Sequence, residues 1–126
     1  MKVIRPFGPT IAKVSIPEEL INQLNNYLDE IILNEEKIKS LDYGEKLAGN
    51  VSQEFRLEKE FISESGFENF IIKNAKEWIK QTVNKEINKC DIMNSWIVRQ
   101  FQNEYNPLHS HSGHISGVGY LKVPEN

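Results

Sequence analysis

The chain has 126 residues, of which 39% are hydrophobic and 26% charged, a balance that suits one domain with a core and excludes a low-complexity segment. With 15 basic against 18 acidic residues the formal net charge is −3, so no broad electrostatic grip on nucleic acid or an acidic membrane is expected. Cys90 is the lone cysteine and cannot form an internal disulfide, no run approaches the ~18 apolar residues of a membrane span, and Met1 to Pro6 lacks the apolar stretch of a secretory signal. A reducing cytoplasm is the expected compartment. Asn50-Val51-Ser52 matches a glycosylation sequon, which without secretion is read as chance.

Thr10 to Ile16 has the β-branched content of a short strand, led in by Pro6 and Pro9. Pro17 ends it and opens a helix expected to reach about Leu33, because proline suits a first helical position and Glu18 and Glu19 suit the positive end of the helix dipole. Leu20, Leu24, Tyr27, Leu28, Ile31 and Ile32 recur at three-and-four spacing and make one apolar stripe. Asn34 to Lys59 is polar and punctuated by Gly44 and Gly49, so it reads as loop with one short element at Ser52 to Leu57.

A second helix is expected from about Gly66 to Asn84, capped by Ser63 or Ser65, with Phe67, Phe70, Ile71, Ala75, Trp78, Ile79 and Val83 sharing a face. A helical apolar face needs no ligand to explain it, so this stripe reads as core. Asn94 to Phe101 then reads as a strand buried on at least one face, and Asn103 to Pro107 as a turn. Ile115 to Val123 reads as another strand, with Gly117 and Gly119 on one face and Ser116, Val118 and Tyr120 on the other.

All three histidines sit between these last two runs, in Leu108-His109-Ser110-His111-Ser112-Gly113-His114. In extended backbone His109 and His111 leave on the same face, about 6.6 to 6.8 Å apart at Cα, close enough to grip one ion. His114 has the opposite parity and is expected beside the pair or in solvent. The order is thus strand, helix, loop, helix, then a strand pair flanking the histidines, an α+β pattern in one domain over residues 1–126. A hairpin alone is marginal in water and leaves open edges, and the chain ends 12 residues after His114, so the sheet is expected to continue and the chain to be a fragment.

Ser95-Trp96-Ile97-Val98-Arg99-Gln100-Phe101, Glu104-Tyr105-Asn106-Pro107-Leu108-His109-Ser110-His111 and Ile115-Ser116-Gly117-Val118-Gly119-Tyr120-Leu121-Lys122-Val123-Pro124 together resemble the iron(II)- and 2-oxoglutarate-dependent oxygenases. The nearest branch is related to the prolyl hydroxylases and common in phage and marine bacterial genomes. The resemblance covers about Trp96 to Pro124, and the N-terminal helices are compatible with it. It implies N-terminal helices that support the first part of a double-stranded β-helix (jelly-roll), incomplete in this chain.

The same resemblance implies Fe(II) and 2-oxoglutarate as cofactors, a small-molecule cosubstrate, and a substrate that the residues do not disclose. His109 matches the first metal histidine of the family's His-X-Asp/Glu motif, and His111 stands where the carboxylate would be. Tyr120 matches a tyrosine that hydrogen-bonds the distal carboxylate of 2-oxoglutarate, and its phenol can donate such a bond. Two histidines and a carboxylate suit iron(II) because they leave positions open for the oxoacid and oxygen. Glu104, five residues before His109, is not assigned as the missing carboxylate, and Arg99 has no matching position as the anchor of 2-oxoglutarate. The distal histidine and that anchor lie on later strands in the family, so this chain alone is expected to be inactive. A distal histidine would make the metal shell three histidines.

Two other readings stand beside this one. A cupin-like metal protein also opens on His-X-His, but Gly113, His114 and Ile115 occupy the place of its glutamate. A structural or binding module would keep the fold without the site. Trp96 reads as core and Tyr120 reads equally as barrel packing. Cys90 lies in a polar turn with no partner that would make it a nucleophile, while Glu18-Glu19 and Glu35-Glu36 read as a helix start and a solvated loop.

Overall fold

The computed structural model describes residues 1–125, which form a mixed α+β arrangement of four helices and two small antiparallel sheets. Strands β1 (Lys2–Ile4) and β2 (Ile11–Lys13) pair in register Lys2 to Lys13. The expected strand over Thr10 to Ile16 is therefore shorter than its β-branched run, because β1 gives it only three partners. Helix α1 (Glu18–Ile32) follows the sequence closely: Pro17 is its N-cap at φ −57°, Glu18 and Glu19 fill the first turn, and Leu33 closes it by donating to Asp29 O. Its stripe turns Leu20, Leu24, Tyr27 and Ile31 inward, and Ile31 is 0% exposed.

That face packs against Leu41, Phe55, Leu57 and Ile97 to make the core. Leu41 belongs to α2 (Glu35–Leu41), a helix inside the segment expected to be loop. Asn34 initiates it, its side-chain oxygen accepting from the backbone of Glu36 at 3.0 Å and Lys37 at 3.1 Å, which satisfies two of the free donors of a helix N-terminus. Seven residues with apolar side chains at Ile38 and Leu41 alone give too short a stripe to stand out in sequence.

Strands β3 (Gln53–Arg56) and β4 (Trp96–Arg99) form the second sheet, with Gln53 opposite Arg99, Glu54 opposite Val98, Phe55 opposite Ile97 and Arg56 opposite Trp96. Phe55 and Ile97 face α1. The short element expected at Ser52 to Leu57 is present here, and the strand expected over Asn94 to Phe101 is present over its middle, Trp96–Arg99. Between them, α3 (Lys59–Glu64) leads through Gly66, in the left-handed region at φ +79°, into α4 (Phe67–Val83). Ser65 Oγ accepts from Phe67 N at 3.3 Å, and Asn84 ends α4 at φ +52°. Phe67 and Phe70 reach the core. The far end of the stripe does not, since Val83 is 59% exposed.

The strand expected over Ile115 to Val123 is absent, and the histidines are not flanked by a strand pair: β4 pairs with β3, while 115–123 adopts no regular structure. A strand exists by virtue of its neighbour's hydrogen bonds, and this segment has no backbone partner among the described residues. Two glycines weaken it further. Its Leu121 nevertheless packs on the core, and a Cβ at Gly119 would lie 3.1 Å from the Ile16 side chain.

Candidate functional site

The segment that carries the histidines is fastened at its root. Asn50 N donates to Tyr105 O at 2.8 Å in an antiparallel bridge, and the Asn106 side chain lies so close over Gly49 that a Cβ there would collide with it. Glu104 ties the same root with both carboxylate oxygens: Oε1 accepts from Ser52 N at 2.9 Å and Oε2 from Phe101 N at 2.8 Å. These bonds hold its carboxyl below the usual carboxylate range, Ser52 contributing most and Phe101 next. Glu104 is thus engaged in shaping the loop.

Beyond that root His109 and His111 converge, their Nε2 atoms 2.9 Å apart and their rings at 70°. His109 Nδ1 lies 2.6 Å from Pro107 O. A carbonyl oxygen only accepts, so this nitrogen carries a proton, and in the uncharged ring the lone pair of Nε2 faces the neighbouring imidazole. A backbone carbonyl that fixes the tautomer in this way is the usual support for a metal-bound imidazole. His111 is steadied differently, by stacking on Trp96 with centroids 5.7 Å apart, and Trp96 in turn leans on Tyr43 at 5.9 Å. The expectation that Trp96 is core is half met: it is partly buried, and its ring is a platform for the site.

The pair can act as two adjacent corners of a metal shell. Nitrogens about 2.1 Å from one ion and at right angles lie about 3 Å apart, which the observed spacing matches. Without an ion, the same spacing is a hydrogen bond between the two Nε2 atoms, one of which carries the proton. Among the described residues no three His, Cys, Asp or Glu side chains stand close enough together to hold a metal.

His114 lies apart, lining with Trp78, Ile79, Thr82, Val83 and Ile115 an open groove of about 210 Å³. Gly113, at φ +98°, turns the chain between the pair and this groove. Tyr120 is 72% exposed and makes no side-chain hydrogen bond among the described residues. Arg99 donates to Gln53 Oε1 at 3.3 Å and lies over the Phe101 ring.

Glu54 was not legible as a site residue. It is 2% exposed on β3, its Oε2 has no hydrogen-bond partner, and burial first, then Asp42 and Glu104, push its carboxyl above the usual range while His109 pulls it down. A lone glutamate between Gln53 and Phe55 gives no sign of burial. It is covered because the Tyr43–Gly44 turn closes over the free edge of β3, Tyr43 N donating to Glu54 O at 2.8 Å.

No protein-family model, curated protein or solved structure matches the chain. The site's own geometry therefore carries the functional argument. Among the described residues no helix is long and apolar enough to cross a membrane.

Proposed function

We propose that the chain belongs to an iron(II)- and 2-oxoglutarate-dependent oxygenase that hydroxylates a substrate, with His109 and His111 as metal ligands. The observation that carries this reading is the 2.9 Å convergence of the two Nε2 atoms, with His109 held by Pro107 O in the tautomer that leaves a lone pair facing inward. It joins the resemblance of Trp96 to Pro124 to that family. When bound, the metal and the oxoacid supply the oxidising chemistry. The chain's own residues orient the ligands: Pro107 O fixes one imidazole, Trp96 supports the other, and Glu104 with Asn50 holds the loop that carries both.

In the same reading, β3, β4 and the segment 115–123 belong to a double-stranded β-helix. The exposed side chains of Val118, Tyr120 and Val123, at 78%, 72% and 68%, are free to meet further strands of such a sheet. Tyr120 is assigned to the distal carboxylate of 2-oxoglutarate on the resemblance alone. A cytoplasmic location and a small-molecule cosubstrate belong to the same proposal.

Anaerobic titration with Fe(II) tests it. One iron per chain is expected for the wild type and none for the His109→Ala/His111→Ala double variant; equal iron stoichiometry in the two proteins removes both residues from the metal shell. Conversion of 2-oxoglutarate to succinate, by this chain or by any longer product that contains it, distinguishes the oxygenase from a cupin-like protein, which would bind metal without consuming the oxoacid.

A further inference from the structure

One buried carboxyl has an oxygen with no partner in the fold. Glu54 is 2% exposed and its Oε2 accepts no hydrogen bond. A carboxylate taken out of water without a partner is costly, and such groups are normally paired or bound to a cation. Its carboxylate neighbours do not help: Asp42 and Glu104 act on it with like charge, and the opposite influence comes from His109. Both of those neighbours are committed elsewhere, Asp42 Oδ1 accepting from Gly44 N at 2.9 Å and Glu104 accepting from two backbone amides.

Strand register relates this charge to the histidines. Trp96 is opposite Arg56, and Arg56 is two residues from Glu54 on β3, so Glu54 and Trp96 leave by the same face of the sheet. Trp96 carries His111 on its ring, and His111 meets His109. Two converging imidazoles and a buried carboxyl with one unpartnered oxygen thus lie on one face of the β3–β4 sheet.

We propose that Glu54 supplies the negative charge for a divalent cation held by His109 and His111. The inference rests on the metal reading of the histidine pair and adds the carboxylate that the His-X-His segment lacks. Glu54 is a positioning residue here: no three potential ligands stand close enough to share an ion, so its charge acts on the cation through space. The coupling runs both ways, since the cation offsets the cost of keeping Glu54 ionised and dry.

Titration of the full chain with Co(II), read by visible absorption and by thermal melting, tests this. The wild type is expected to bind one cobalt with a rise in Tm, and the His109→Ala/His111→Ala variant none. Glu54→Gln should bind about two- to tenfold more weakly and lose part of the cobalt-dependent rise, yet melt no lower than the wild type without metal, because the buried carboxylate is gone. Wild-type cobalt affinity in Glu54→Gln, alongside lost binding in the double variant, overturns the inference and leaves the metal reading standing. Undiminished binding in the double variant overturns the metal reading and the inference with it. If Glu54→Gln does not fold, the wild-type protein decides: zinc, a diamagnetic divalent ion, must shift the NMR signal of the Glu54 side-chain carboxyl carbon, and an unmoved signal overturns the proposal.

Discussion

Tyr27 on α1 and Glu58 at the head of α3 satisfy each other twice: the phenol donates to Glu58 Oε2 at 3.0 Å, and Glu58 N donates back to the phenol oxygen at 3.1 Å. Phe61 stacks on the same ring at 3.9 Å. Tyr27→Phe keeps the ring but leaves a half-buried amide without its acceptor, so stability should fall by about 1–3 kcal/mol. Urea unfolding of the two proteins measures it, and a loss too small to resolve would show that water replaces the phenol at no cost.

The same residue sets an alkaline limit. Burial, with help from the Glu58 carboxylate, pushes the Tyr27 phenol from 10.0 up to about 12. The folded chain therefore keeps a proton that the unfolded chain releases first, so this contribution is complete below pH 10.0 and is lost as pH rises toward about 12. Phenolate absorbance should include a late step toward about 12. Tyr27→Phe should abolish that late step and flatten the alkaline loss of stability.

Glu104 sets the opposite slope. Its carboxyl is held low by the bonds from Ser52 and Phe101, so the folded chain releases this proton more readily than the unfolded one. The contribution is present above the ordinary carboxylate range and disappears as pH falls through the lowered value. Glu104→Gln offers one acceptor oxygen in place of two, and its stability should depend less on pH in the acid range than that of the wild type. Parallel acid slopes for the two proteins would show that the loop root does not need the charge.

Gly49 is where the histidine segment touches the body of the protein most closely. Gly49→Ala drives a methyl into the Asn106 side chain, so that side chain must turn away or the bridge between Asn50 and Tyr105 must open. A destabilisation of about 1–3 kcal/mol is expected from such crowding. On the metal reading cobalt affinity should fall with it, because the loop carrying His109 and His111 starts at Asn106. Unchanged melting together with unchanged cobalt affinity would mean that Asn106 rotates away freely.

Why some of this was legible and some not follows from what each feature depends on. Helix α1 is written locally, in Pro17, two acids and a stripe whose period matches 3.6 residues, so its ends fall within a residue of expectation. The short helices α2 and α3 lack a stripe long enough to read, although the Asn34 cap is a local signal that points to the first of them. Ile115 to Val123 has strand composition, but pairing is decided by a neighbour, and no residue of the segment encodes one. For the site, the two-residue spacing of His109 and His111 was enough to suggest convergence. Glu54 joins them only through the fold, because its burial is set by the Tyr43–Gly44 turn on one edge and β4 on the other.

Trp96 offers the sharpest separation of site from scaffold. Its ring is only partly buried and is shared between Tyr43 and His111, whereas its strand neighbour Ile97, 6% exposed, is the residue that anchors β4 in the core. Trp96→Leu should therefore keep β4 paired with β3 and retain the wild-type far-UV spectrum. What it removes is the platform that holds His111 toward His109. An aromatic pair adds about 0.5–1.5 kcal/mol beyond the area it buries, so on the metal reading cobalt affinity should drop about two- to tenfold. Ile97→Ala should show the reverse, a loss of about 2–5 kcal/mol in stability with cobalt binding retained in whatever fraction remains folded. If Trp96→Leu binds cobalt as tightly as the wild type, the Pro107 carbonyl and the loop root suffice to hold the pair, and the stacking on Trp96 is packing alone.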